Sequence, residues 1–129
     1  MPETHTTVCD EKRLLWYTAG LWEKAAQLVP FELEIASVKE LDENCWFGSR
    51  PPTLREVLTH LERVQKADLS YPIILNYDGS LMDGGHRLCK AVLAGHTRII
   101  AVQFPSLPAP DEVSEARGSS GVTVSKKAC

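Results

Sequence analysis

The sequence predicts an α/β (α+β) domain: a small mixed sheet with flanking helices. Three observations carry the prediction. Phe31-Glu-Leu-Glu-Ile35 alternates apolar and acidic residues, the pattern of a half-buried strand. Tyr71 to Met82 reads as a hairpin, with the apolar run Pro72-Ile-Ile-Leu-Asn76 turned at Asp78-Gly79 and returning through Leu81-Met82. Ile99 to Phe104 is a further apolar run, reached through a predicted helix from Gly85 to Ala94. That crossover suits a parallel pairing of the two apolar strands.

The 129 residues suit one domain, and 43% hydrophobic with 24% charged residues read as a soluble globular chain. The reading divides it into a helical N-terminal segment, 1–29, the α/β domain, 30–104, and a flexible tail, 105–129. A net charge of −3 argues against sequence-independent DNA binding, which needs a basic face to neutralise phosphates. No apolar run approaches the ~20 residues of a membrane span. Residues 1–10 lack the apolar core of a signal peptide, so a cytoplasmic protein without a membrane partner is expected. The four cysteines form no C-x-x-C pair, and reduced thiols are expected. The four histidines are scattered, so no metal site is predicted.

In order along the chain, 1–8 reads as a loose leader and Asp10 as the cap of a helix. Leu14, Tyr17, Leu21, Ala25 and Leu28 form its apolar stripe, Gly20 weakens its middle, and Pro30 ends it. Trp16 and Trp22 read as packing residues rather than a ligand-stacking pair. Ser37 to Glu40 has capping-box spacing for a short helical turn. Thr53 to Glu56 repeats that spacing before a clear helix, Leu54 to Ala67. Leu54, Val57, Leu58, Leu61 and Val64 make its apolar face, and His60 lies off that face at the surface. In the Gly85 to Ala94 helix, Leu88, Ala91 and Val92 face inward and Gly95 is the stop. Cys89 is expected to be a mostly buried, unreactive thiol.

Asp83-Gly84-Gly85-His86-Arg87 stands at the turn between the hairpin and this helix. Two glycines leave the backbone bare, and the first amides of a helix have no partner within it. Those amides also carry the positive end of the helix dipole. His86, Arg87 and Lys90 add cations there, which is unfavourable unless an anion is held. A phosphate is the natural candidate, with Arg87 as a bidentate fork at the mouth and Lys90 at the outer edge. The alternative is a plain tight turn with Arg87 and Lys90 solvated or paired.

The run Tyr71-Pro-Ile-Ile-Leu-Asn-Tyr-Asp-Gly-Ser-Leu-Met-Asp-Gly-Gly-His-Arg-Leu88, continuing through Gly95 to Ile99–Phe104, resembles the ParB/sulfiredoxin superfamily. The resemblance implies a ParB/sulfiredoxin-like fold whose Gly-x-His-Arg turn holds nucleotide phosphates. Sulfiredoxins carry a cysteine directly before the His-Arg pair. Gly85 stands there in this chain, so peroxiredoxin repair is not expected. The Asp-Gly-His-His-Arg run of ADP-dependent free-serine kinases differs only at Gly85. Carried across, Gly84, Gly85, His86 and Arg87 would hold phosphate and Asp83 would be a catalytic carboxylate. A second carboxylate would come from Glu40, Asp42 or Glu43, of which Glu43 is taken. ATP or ADP with Mg²⁺ is the implied cofactor. ParB partition proteins add a helix-turn-helix reader and a dimerisation region, for which this chain leaves no room. The ParB-like nuclease label lacks a cluster of acidic metal ligands here.

Two functional classes stay open. One is a nucleotide-dependent phosphotransferase or ATP hydrolase. The other is a non-enzymatic adaptor that binds a protein partner or nucleic acid, with a homodimer among the options.

Overall fold

The computed structural model describes residues 3–115, and its fold is mixed α+β with two small sheets. One sheet has three strands and the other four. β1 (Thr4–Cys9) and β2 (Lys12–Tyr17) form an antiparallel hairpin. Asp10 and Glu11 make its two-residue turn with φ of 51° and 63°, the left-handed backbone that tight hairpin loops require. α1 (Thr18–Ala25) follows directly. The predicted helix from Asp10 is therefore corrected: its first half is strand. Leu14 and Trp16 are buried while their neighbours Arg13 and Tyr17 are exposed, so the period is two, not 3.6.

β3 (Phe31–Glu34) pairs antiparallel with β6 (Arg98–Gln103), and β6 pairs in parallel with β4 (Ile73–Leu75). β4 pairs antiparallel with β5 (Leu81–Asp83). These strands, the hairpin and the parallel pairing are those the sequence predicts, except that Ile35 leaves the first of them for a 3₁₀ turn. α3 (Gly85–Leu93) makes the crossover and ends at Gly95, φ +83°. α2 (Leu54–Lys66) starts at a complete capping box between Thr53 and Glu56. The earlier box does not form: Ser37 Oγ donates to the Glu34 carbonyl at 2.6 Å, and two 3₁₀ turns occupy Ile35–Ser37 and Lys39–Asp42.

The four-stranded sheet is covered on both faces. Ile74 and Val102 pack with Trp16, Leu21 and Phe104 on one side. Ile73, Leu75 and Ala101 pack with Leu88, Ala91 and Ile35 on the other. Trp16 is fully buried and donates to the Pro108 carbonyl at 3.2 Å, as a packing residue would. Val92 turns outward instead of inward, and of the predicted apolar face of α2 only Val64 is buried.

The stretch after Pro105, predicted as flexible, is partly ordered. β7 (Glu112–Glu115) adds to the free edge of β2, and Asp111 bonds the Tyr17 amide through Oδ2 at 2.8 Å. Residues 116–129, the rest of that predicted tail, lie outside the described residues. Cys45 and Cys89 are free thiols, whereas Cys9 is disulfide-bonded, which corrects the expectation of reduced thiols throughout. Among the described residues no helix is long and apolar enough to cross a membrane.

Candidate functional site

β5 delivers Asp83 to the turn that opens α3, and Gly84 makes that turn possible. Its φ is +113°, and a Cβ there would stand 2.6 Å from Ile73 Cγ2. Only glycine meets both conditions. No side chain among the described residues caps α3, and its first turn carries no acidic residue. Gly84, Gly85, His86 and Arg87, the start of this uncapped helix, line a cleft of about 760 Å³. β1, α1, α2 and the 43–53 loop supply its other walls.

On one side of the turn lies an ion pair. Arg87 donates through Nη2 to Asp83 Oδ2 at 2.5 Å and through Nη1 to the Pro72 carbonyl at 2.8 Å. Its side chain is 10% exposed and that of Asp83 15%. Trp22 of α1 donates Nε1–H to the same Oδ2 at 2.7 Å. Its ring centroid lies 5.5 Å from Arg87 Cζ, in cation–π range, and stacks on Tyr71 at 5.6 Å. Arg87 therefore does not stand at the mouth with a free fork, as the sequence predicts. Its two arms tie α3 to Asp83 of β5 and to the Pro72 carbonyl just before β4, and Trp22 joins α1 to them through Asp83.

On the other side lies an aromatic stack. His60 Nδ1 and His86 Nε2 are 2.7 Å apart. Trp46 lies nearly parallel over both, at 4.3 Å from His60 and 4.5 Å from His86. Phe47 meets His60 edge-on at 5.2 Å. The 43–53 loop presents these rings because Asn44 bonds the Phe47 amide at 3.0 Å and the Gly48 carbonyl at 2.8 Å. The Arg50–Glu56 pair ties the loop to the start of α2 at 2.8 Å. A Cβ at Gly85 would stand 3.3 Å from Trp46 Nε1, so a side chain there would crowd the stack.

Burial, with the neighbouring His60 and Arg63, pushes the His86 imidazole down to about 4. Burial also lowers His60, with Arg63 adding to it. Both rings are thus neutral near pH 7. One donates and the other accepts in their shared bond, and the outer nitrogen of each is left for another partner.

The remaining predicted residues divide. Glu43 lines the cleft, and so does Glu40, whose Oε2 accepts the Leu81 amide at 3.0 Å. Asp42 is not among the lining residues. Lys90 is not at the edge of the site: its Nζ donates to the Gln65 and Ala67 carbonyls at 2.9 and 2.7 Å, closing the C-terminus of α2. Cys89 is partly buried, and burial raises its thiol, as an unreactive cysteine requires. Among the described residues no group of three or more His, Cys, Asp and Glu is placed to hold a metal ion.

Sequence reading missed Trp46 and misplaced His60, which is half-buried in the stack rather than at the surface. Nothing local marks either residue, because their common partner His86 is distant in sequence. Neither a scan of protein-family models nor searches of curated proteins and of solved structures finds a match to this chain.

Proposed function

We propose that the cleft binds a phosphate-bearing small molecule, a nucleotide such as ATP or ADP, with a phosphate at the N-terminus of α3. The observation that carries this reading is the uncapped first turn of α3 facing a cleft of ligand size. Helix N-termini attract anions through their free amides and dipole, and small-molecule sites occupy roughly 300–1,000 Å³. The resemblance of the same turn to the ParB/sulfiredoxin superfamily agrees with this reading, and membership of that superfamily in a cytoplasmic setting is part of the proposal.

The roles follow from chemistry. The amides of Gly85 to Arg87 donate to the phosphate oxygens. His86, and His60 through it, offer neutral ring nitrogens whose tautomers adjust to the ligand. Arg87 acts on the phosphate as a fixed positive charge and on the fold as a brace. Asp83, already accepting from Arg87 and Trp22, is a positioning residue. Mg²⁺ travels with nucleotide phosphates and needs only one or two protein carboxylates. Glu43 and Glu40, both lining the cleft, are the candidates to meet it, and their presence favours a phosphotransferase or ATP hydrolase over passive binding.

Calorimetric titration with ADP and ATP, with and without magnesium, tests the reading. Binding to the wild type that weakens about tenfold in His86→Ala, the loss of one hydrogen bond to a charged group, supports it. No heat with any nucleotide, alongside an intact fold, contradicts it. Slow phosphate release from ATP that is lost in Glu43→Gln favours the enzyme.

A further inference from the structure

α2 is strongly one-sided, yet most of its apolar side is not used inside the domain. Leu54, Leu58 and Leu61 are 85%, 61% and 46% exposed. They recur at i, i+4 and i+7, so they form one stripe along the helix. His60 points away from the stripe, into the ring stack with Trp46 and His86. The stripe is therefore separate from the cleft and unexplained by it. Three leucines on one exposed helix face exceed the scattered single apolar residues of an ordinary surface.

We propose that this face pairs with a second copy of the chain, α2 against α2, antiparallel about a two-fold axis near Leu58. The charges beside the stripe argue for this occupant. Arg55 and Glu62 are exposed, lie two turns apart on the same flank, and form no ion pair among the described residues. They are too far apart along one helix to meet each other. An antiparallel copy brings Arg55 opposite the partner's Glu62, and the symmetry makes that contact twice. Leu54 meets the partner's Leu61 in the same arrangement, since both pairs centre beside Leu58. A self-complementary patch of this kind is what an isologous two-fold interface requires. One short helix per copy is a small contact, so the dissociation constant is expected on the order of micromolar.

Sedimentation of the full chain over a concentration series tests the proposal. The wild type is expected to pass from 14.3 kDa to twice that mass. Leu58→Glu, at an exposed position, is expected to keep its circular dichroism spectrum and remain monomeric. Arg55→Glu or Glu62→Arg alone is expected to weaken the dimer about tenfold, because each reversal acts twice, and the double reversal to restore it. A monomeric wild type would leave the face to a different protein's helix and overturn the proposal. So would a dimer indifferent to Leu58→Glu, or a double reversal without rescue.

Discussion

The two sides of the α3 turn are both polar, partly buried and close together, yet they are built on opposite plans. On the Asp83 side every strong group is taken up within the fold. Arg87 holds Asp83 and the Pro72 carbonyl, and Trp22 holds Asp83 as well. On the His86 side the two imidazoles bond, among the described residues, only one another and are held by ring stacking under Trp46. Directional bonds fix the first side, whereas the second keeps two ring nitrogens in reserve. The residue with the most ligand-like chemistry, Arg87, is thus the better brace, and the weaker donors are the better placed to receive a ligand.

The sharpest way to break this contrast is Arg87→Ala. Removing one partner of a buried ion pair costs about 3–5 kcal/mol, so the urea midpoint is expected to fall steeply, with Arg87→Lys recovering part because it lacks the fork. An unchanged midpoint would return Arg87 to the mouth of the site. Gly84→Ala comes next: a positive φ and a clash with Ile73 Cγ2 together are expected to cost roughly 1–3 kcal/mol, read in the same denaturation series. Trp22→Phe keeps the ring contacts with Tyr71 and Arg87 and removes the bond to Asp83 Oδ2. A loss of about 1 kcal/mol is expected, and a neutral result would make Asp83 independent of α1.

A further break is expected from pH on the His86 side. His86 titrates near 4 in the folded protein, against its ordinary value of 6.5. Between those values the unfolded chain binds more protons, so folding stability is expected to fall as pH drops from about 6.5 toward 4. His86→Gln is expected to flatten that slope in urea titrations run at several pH values. Equal slopes for both proteins would mean that His86 is not shielded by the stack.

The β4-β5-α3-β6 unit was legible because its signals are local. Pro72 to Asn76 is a short apolar run, Asp78-Gly79 marks the hairpin, and Gly95 stops the helix at positive φ. The N-terminal hairpin was not, because Leu14, Tyr17 and Leu21 also fit a helical period. The turn at Asp10-Glu11 contains no glycine, and the alternation of Leu14 and Trp16 is only two residues deep. β7 was hidden for another reason. All four of its residues are exposed, so it carries no burial pattern and is fixed by backbone pairing with β2 and by the Tyr17 hydroxyl donating to Glu112 Oε2. In the site, Gly84 and Gly85 announced themselves by the bare turn. The direction of Arg87 did not, since its partners Asp83 and the Pro72 carbonyl are also those of an ordinary strand end. Lys90 misled in the same way: sequence gives its charge near α3, while tertiary packing gives it the end of α2.

The most direct test of the central claim follows backbone amides during titration of isotopically labelled protein with ADP and then ATP. The amides of Gly85, His86 and Arg87, with the side chains of His60 and His86, are expected to shift first and furthest. The Trp22 indole N–H is expected to stay nearly still. Shifts centred on Trp22 and Tyr71, or no shift at the start of α3 at saturating nucleotide, would contradict it.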